Sequence, residues 1–312
     1  MGDGKLRLAP RFFSCCGTPL LSLQRSSAFI CGCIAFLSAA AAQPVTVADD
    51  RGKVVKLAQP AQRIVSLAPS LAELAFAAGA GGRLVGVARY SDYPPEARAV
   101  PQVGDAARVD FERVAALKPD LILAWKSGNS PSDFERLERL GYPAFVSEPA
   151  RLADVARLLR AIGALAGSLP EAERAAAGFE RDIAALRARH AKASGVRVFY
   201  LIWHRPLLTV NGAHIISDVI SLCGGRNVFA DVAQLTPNVS IEAVIAAKPE
   251  VILGGGSAGG EKEFAARWRA SAVEPLNRLP AYYVNPDHIQ RQTPRIVEGA
   301  RAVCAALERV RY

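Results

Sequence analysis

From Val45 to Leu57 (VTVADDRGKVVKL) apolar and polar residues alternate around Asp50-Arg51-Gly52, which predicts an antiparallel hairpin. Short β-rich runs follow at 63–67, 84–88, 121–124 and 144–146, with helical stretches at 111–117 and 134–140. Ser70 with Glu73 three residues later predicts a capping box opening a helix between the first two runs. From 151 to 194 the strand signal vanishes and Ala, Leu, Arg and Glu dominate. A second box, Ser168 with Glu171 and Pro170 beside them, opens a predicted helix from Leu169 to about Lys192, on the order of 36 Å long. After Gly195 the alternation resumes, with strands at 196–203, 251–253 and 282–284 and helices at 215–222, 241–247 and 296–310. Such alternation implies parallel sheets covered by helices. The expected fold is α/β: two Rossmann-like lobes, residues 43–168 and 195–312, joined by one long rigid helix within 169–194.

An internal repeat supports two related lobes. Residues 111–125 (FERVAALKPDLILAW) and 241–255 (IEAVIAAKPEVILGG) share seven of fifteen positions without a gap. Each copy predicts a short helix stopped at Lys-Pro, because proline cannot continue it, and then a buried strand. A weaker echo pairs Gly81-Gly82-Arg83 with Gly224-Gly225-Arg226. The repeat also matches Glu112 with Glu242, behind the expected N-caps Asp110 and Ser240. An acid in a first helical turn is favoured by the helix dipole alone, by about 0.3–1 kcal/mol. As a matched pair, however, the two carboxylates occupy equivalent corners and suit a partner that is itself two-fold symmetric.

Composition changes this picture once the N-terminus is set apart. The whole chain has 312 residues, net charge +9 and six Cys. Lys5, Arg7, Arg11 and Arg25 precede an uncharged run from Ala28 to Ala42 that ends in small residues. A basic region, a short apolar stretch and an A-x-A-like end describe a secretory signal spanning 1–42, cleaved before Gln43. The run is shorter than the ~20 residues of a membrane-spanning helix. Attachment as a lipoprotein through Cys33 is the alternative to a free protein. Removal of 1–42 turns 38 basic against 29 acidic residues into 34 against 28, a net +6. That charge is scattered, with no basic run or interleaved aromatics, which argues against nucleic acid. Cys15, Cys16, Cys31 and Cys33 leave as well. Cys223 and Cys304 remain, an even pair in an exported protein, and are expected to form one disulfide.

Catalytic motifs are sparse. There is no phosphate loop, and after residue 42 no Cys-x-x-Cys; His190, His204, His214 and His288 lack metal-ligand spacing. The glycine loop GGGSAGG (254–260) has no Lys-Ser/Thr. A two-lobed metal-cluster enzyme would need Cys or His ligands at its cleft, and no metal or cofactor is expected. A ligand cleft is expected instead. Tyr90, Tyr93, Trp125, Trp203-His204-Arg205 and Arg291 all follow strand ends, where open α/β sheets bind ligands. Aromatic planes with a few cationic or hydrogen-bonding groups suit a large, flat, partly apolar ligand carrying amides or carboxylates.

YSDYPP (90–95), FERVAALKPDLILAW (111–125), LCGGRNVF (222–229) and TPRI (293–296) resemble the periplasmic corrinoid-binding proteins of ABC importers. RIVSLAPS (63–70) is similar to the wider family that also binds ferric siderophores and haem. The resemblance covers essentially the whole chain after residue 42. It implies a helical-backbone fold of two lobes and a bridging helix, a monomer without enzymatic activity, and a cobalamin-like ligand. Tyr90, Trp125, Asp287 and Arg291 fall in its ligand-contacting segments, with Trp203 a further candidate. Glu112 and Glu242 match the residues that dock on the permease dimer, which works with ATPase subunits, and Cys223 and Cys304 match the disulfide. Four aromatic cage positions are instead Ala106, Ile202, Leu208 and Thr236. The thinner cage keeps two alternatives open: haem, with Tyr93 or a histidine on the iron, and a ferric siderophore.

Overall fold

A computed structural model describes residues 44–105, 107–193, 195–255 and 260–312. Residues 1–42, expected to be a signal segment, with their four cysteines, and Ala106 lie outside the described residues. The chain opens with the expected hairpin, β1 Val45–Ala48 and β2 Val54–Leu57, paired antiparallel with Val45 opposite Leu57. The first sheet comprises β3 Ile64–Ser66, β4 Leu84–Val87, β5 Leu121–Trp125 and β6 Ala144–Ser147, all parallel, in the order β4-β3-β5-β6. Helices α1 Pro69–Ala77, α2 Phe111–Leu117 and α3 Pro131–Arg139 connect its strands. The second sheet comprises β7 Val196–Leu201, β8 Gly225–Asn227, β9 Val251–Gly254 and β10 Ala281–Tyr283, again parallel, in the order β8-β7-β9-β10. Both sheets thus order their strands 2-1-3-4, as the repeat requires.

The long helix expected from Leu169 is present, and a further helix precedes it. Helix α4, Leu152–Ala166, ends at Gly167 in the left-handed conformation (φ 67°), and α5, Leu169–His190, follows at once. Gly163 lets them approach closely: a Cβ there would stand 2.3 Å from that of Ala172. Helix α5 has 22 residues, about 33 Å. It packs against α1 and α4 on one side and against α6 (Ile215–Leu222) and α10 (Ile296–Arg311) on the other. One buried apolar cluster runs through these helices and reaches both sheets, from Leu123 and Phe145 to Val198 and Leu253. The outer face of each sheet has its own core, with Val114, Phe134 and Leu137 over the first. Val244, Phe264 and Trp268 cover the second, from α7 (Ile241–Ala246) and α8 (Gly260–Arg269). Cys223 and Cys304 are bonded, tying the end of α6 to α10.

The repeat is exact in its turns. The Asp110 side chain accepts the amide of Arg113 at 3.0 Å, and Ser240 accepts that of Ala243 at 3.2 Å. Lys118 and Lys248, the lysines of the two Lys-Pro stops, are both left-handed. The next acids also correspond. Asp120 accepts the backbone amides of Gln62 and Arg63, and Glu250 accepts that of Arg197, so each fixes the entry to its lobe's first strand. The glycine echo diverges: Gly81–Arg83 is a short 3-10 turn before β4, whereas Gly225 and Arg226 already lie in β8.

Neither predicted capping box forms. Helix α1 starts two residues earlier than expected, with Ala68 as N-cap and Pro69 in the first turn, so Ser70 caps nothing. Ser168 does sit at the N-cap of α5, but its hydroxyl donates to the carbonyl of Ala78. Glu171 pairs with Arg174 on its own helix. In both cases a tertiary partner or a neighbouring charge takes the group that a local pattern assigns to the helix end.

Candidate ligand-binding cleft

The loops beyond the carboxyl ends of the two sheets face one cleft of about 630 Å³. Pro69 and Ser70 enter it after β3, Trp125 and Ser127 at the end of β5, Ile202 and Leu208 after β7, and Asp287, Gln290 and Arg291 after β10. This is where the topology places ligands, since in each sheet the order reverses beside the first strand. The chain between α6 and α7 contributes Gln234, Leu235 and Thr236. Short helix α9, Pro286–Ile289, is capped by Asn285, whose side chain accepts the Asp287 amide. It carries Asp287 and ends beside Gln290, whose amide nitrogen lies 3.4 Å from the Tyr200 hydroxyl. Complete burial raises the Tyr200 phenol pKa, so it stays protonated.

Arg291 is the centre of an ionic cluster that joins the lobes. Its Nη1 donates to Glu73 of α1 at 2.7 Å and to Asp92 at 2.8 Å; its Nη2 lies 3.0 Å from Asp287 and reaches the Tyr90 carbonyl. Arg295 donates to both carboxylate oxygens of Glu73, and its guanidinium covers the Tyr93 ring at 3.9 Å. Burial opposes the charge on Arg291, but its bonds to Glu73 and Asp92 outweigh burial and raise its pKa. Burial likewise opposes ionisation of Asp92, and the bond from Arg291 lowers its pKa overall. Glu73 is 3% exposed. Its spacing from Ser70 fits a helix cap, but an acid on an otherwise apolar helix face signals a buried partner.

Asp287 and Arg291 are the charged residues among those lining the cleft, and they pair with each other. His214 lines it too, and burial lowers its pKa to about 4, which keeps it neutral. The His214 Nδ1 accepts the amide of Ile216 at 3.2 Å, capping α6, so its proton sits on Nε2. The remaining polar groups are amides and hydroxyls, including Gln234, Gln290, Gln292, Ser70, Ser127 and Thr236.

The structure therefore brings Trp125, Asp287 and Arg291 together in the cleft. Tyr90 joins the cluster through its carbonyl, with φ 68° and an exposed ring. Trp203 is not in the cleft. It lines a separate open depression with His204, Arg205 and Arg267, its indole N–H donating to the Arg205 carbonyl. The Leu208 carbonyl accepts the amides of both Ile202 and Trp203, a bulge that turns consecutive side chains to different places. Ile202, Leu208 and Thr236, noted above as departures from the aromatic cage, line the cleft. Glu112 and Glu242 do not line the cleft: both are exposed, in the first turns of α2 and α7. The backbone amide and the Ser240 hydroxyl lower the pKa of Glu242. Among the described residues no group of three or more His, Cys, Asp or Glu stands where it would hold a metal ion.

Two parallel sheets of one topology, a helix packed against the helices of both lobes and a cleft at the sheets' carboxyl ends define a two-lobed ligand-binding protein. The chain belongs to the periplasmic binding protein family, which it matches over residues 64–282. It is 36% identical over 253 residues to the vitamin B12-binding protein of Vibrio parahaemolyticus, covering 81% of this chain and 92% of the relative. With the vitamin B12-binding protein of Yersinia pestis it shares 39% over 247 residues, covering 79% and 86%. Among solved structures it is similar to the periplasmic vitamin B12-binding protein of Vibrio cholerae, with TM-score 0.74, 35% identity and coverage of 81% of this chain and 98% of that one. It is also similar to a periplasmic haem-binding protein from Roseiflexus sp. RS-1, with TM-score 0.69, 25% identity and coverage of 80% and 99%.

Proposed function

We propose that this protein captures cobalamin or a related corrinoid in the cleft between its lobes and delivers it to an ABC importer. The observation that carries this reading is the cleft's uncharged lining: an indole plane at Trp125, apolar Ile202 and Leu208, and amide and hydroxyl groups around one internally neutralised ion pair. A corrin ring is large and partly apolar and bears neutral amides, which such a lining can meet with hydrogen bonds. Haem presents two carboxylates and an iron. The one cation lining the cleft already answers to several acceptors. The His214 nitrogen free of the cap carries its proton, and Tyr93 lies beneath Arg295. The relatives with vitamin B12 in their names support the same choice over haem or a ferric siderophore.

The signal-like segment 1–42 supports export to the periplasm with cleavage before Gln43, and Cys223–Cys304 suits that compartment. Delivery assigns Glu112 and Glu242 to the permease dimer of the importer, whose ATPase subunits drive release. Equilibrium dialysis of the exported protein against equimolar cobalamin and hemin tests the ligand. Retention of one cobalamin per chain, read from its visible absorbance, is the expected result; retention of hemin alone moves the assignment to haem.

A further inference from the structure

Glu73 is the buried member of the ionic cluster, and it belongs to the opposite lobe from both of its partners. Its side chain is 2% exposed, while those of Asp92 and Asp287 are 46% and 48% exposed. Charge in a dry environment acts far more strongly than charge facing water. Glu73 is thus the group that cancels Arg291 and Arg295, and Arg291 forms part of the cleft wall. We infer that Glu73 makes this cleft select uncharged, amide-bearing ligands over carboxylate-bearing ones, acting as a positioning residue through Arg291. The inference rests on the proposed reading of the cleft as a corrinoid site.

The chemistry follows from the hydrogen-bond inventory. A guanidinium is a strong bidentate partner for any carboxylate that reaches it. With Glu73 in place, Nη1 of Arg291 is engaged by Glu73 and Asp92, and Nη2 by Asp287 and the Tyr90 carbonyl. A ligand carboxylate would have to compete with these acceptors and would meet three acids against two guanidiniums. A ligand amide needs no cation, and finds Gln234, Gln290 and Gln292. Replacing Glu73 by a neutral isostere removes the carboxylate that Arg295 binds and leaves Arg291, which lines the cleft, with the two half-exposed acids and the Tyr90 carbonyl.

The test compares cobalamin with a cobalamin derivative in which one ring propionamide is hydrolysed to the carboxylate. The wild-type protein should bind the neutral form more tightly. Glu73→Gln should shift the affinity ratio at least tenfold toward the carboxylate, and Glu73→Asp should keep the wild-type preference. Arg295→Gln removes a cation instead of an anion and should shift the ratio at least threefold the other way; it alone carries the test if Glu73→Gln does not fold. Equal weakening of both ligands in Glu73→Gln, or an unmoved ratio in Arg295→Gln, reduces Glu73 to a structural salt bridge and overturns the inference. A wild-type protein that binds neither corrinoid overturns the ligand reading itself, a result visible before any variant is made.

Discussion

Lys118 and Lys248 stand 130 positions apart in the sequence and share one backbone state, with φ 45° and 48°, each handing a short helix to a proline and a buried strand. The left-handed conformation is costly for a side chain other than glycine. That both copies retain it means the two lobes reproduce the turn itself and not merely the order of elements. Glu112 and Glu242 are carried by these same helices.

The exposed pair leads to the first prediction. Glu112→Ala combined with Glu242→Ala should abolish corrinoid uptake in cells while leaving ligand affinity unchanged, because neither residue lines the cleft. Uptake of labelled cobalamin and calorimetry on the purified variant separate the two effects. Normal uptake would leave both residues as acids that merely favour the N-termini of their helices.

Trp125 supplies the aromatic plane lining the cleft. Truncation to Ala should weaken cobalamin by about 10- to 100-fold, the equivalent of burying a large apolar side chain at about 1.5–3 kcal/mol. Trp203→Ala should change affinity by less than about threefold, since Trp203 faces a separate depression. Equal losses in the two variants would place the ligand across both surfaces.

His214 makes stability depend on pH. Its ordinary pKa of 6.5 falls to about 4 on burial. Between those values the unfolded chain binds a proton that the folded chain refuses, so stability declines as pH drops from 6.5 toward 4, by on the order of 3 kcal/mol. His214→Asn keeps a capping acceptor for Ile216 and cannot titrate. Urea midpoints for the two proteins should diverge across this window; parallel curves would contradict the assignment.

Reduction of Cys223–Cys304 opens a loop with a sequence separation of 81 residues. The chain-entropy relation sets the loss at about 4.5 kcal/mol. Denaturant titration with and without a reductant should show it as a lower midpoint at an almost unchanged ligand affinity, since neither cysteine lines the cleft.

Most elements of the fold were legible in the sequence because their signals are local. The hairpin follows from alternation, the caps at Asp110 and Ser240 from residue type, and the two lobes from a gapless repeat. What local pattern misread were groups whose partners lie far away. Glu73 has the spacing of a capping box, yet its partners Arg291 and Arg295 are 218 and 222 positions on. Ser168 fits a cap and binds the carbonyl of Ala78, 90 positions back. Trp203 follows a strand end as Trp125 does, but a bulge opposite Leu208 turns it elsewhere. Gln234, Gln290 and Gln292 gave no sequence signal, because glutamine is common on surfaces and only the cleft makes it meaningful.

The central claim is that the cleft between the lobes is a corrinoid site, and a calorimetric titration of the protein with cobalamin, run beside Trp125→Ala, tests it most directly. One cobalamin per chain for the wild-type protein and a clearly weaker isotherm for the variant are predicted. Absence of binding to the wild-type protein, or binding that Trp125→Ala leaves untouched, would contradict it.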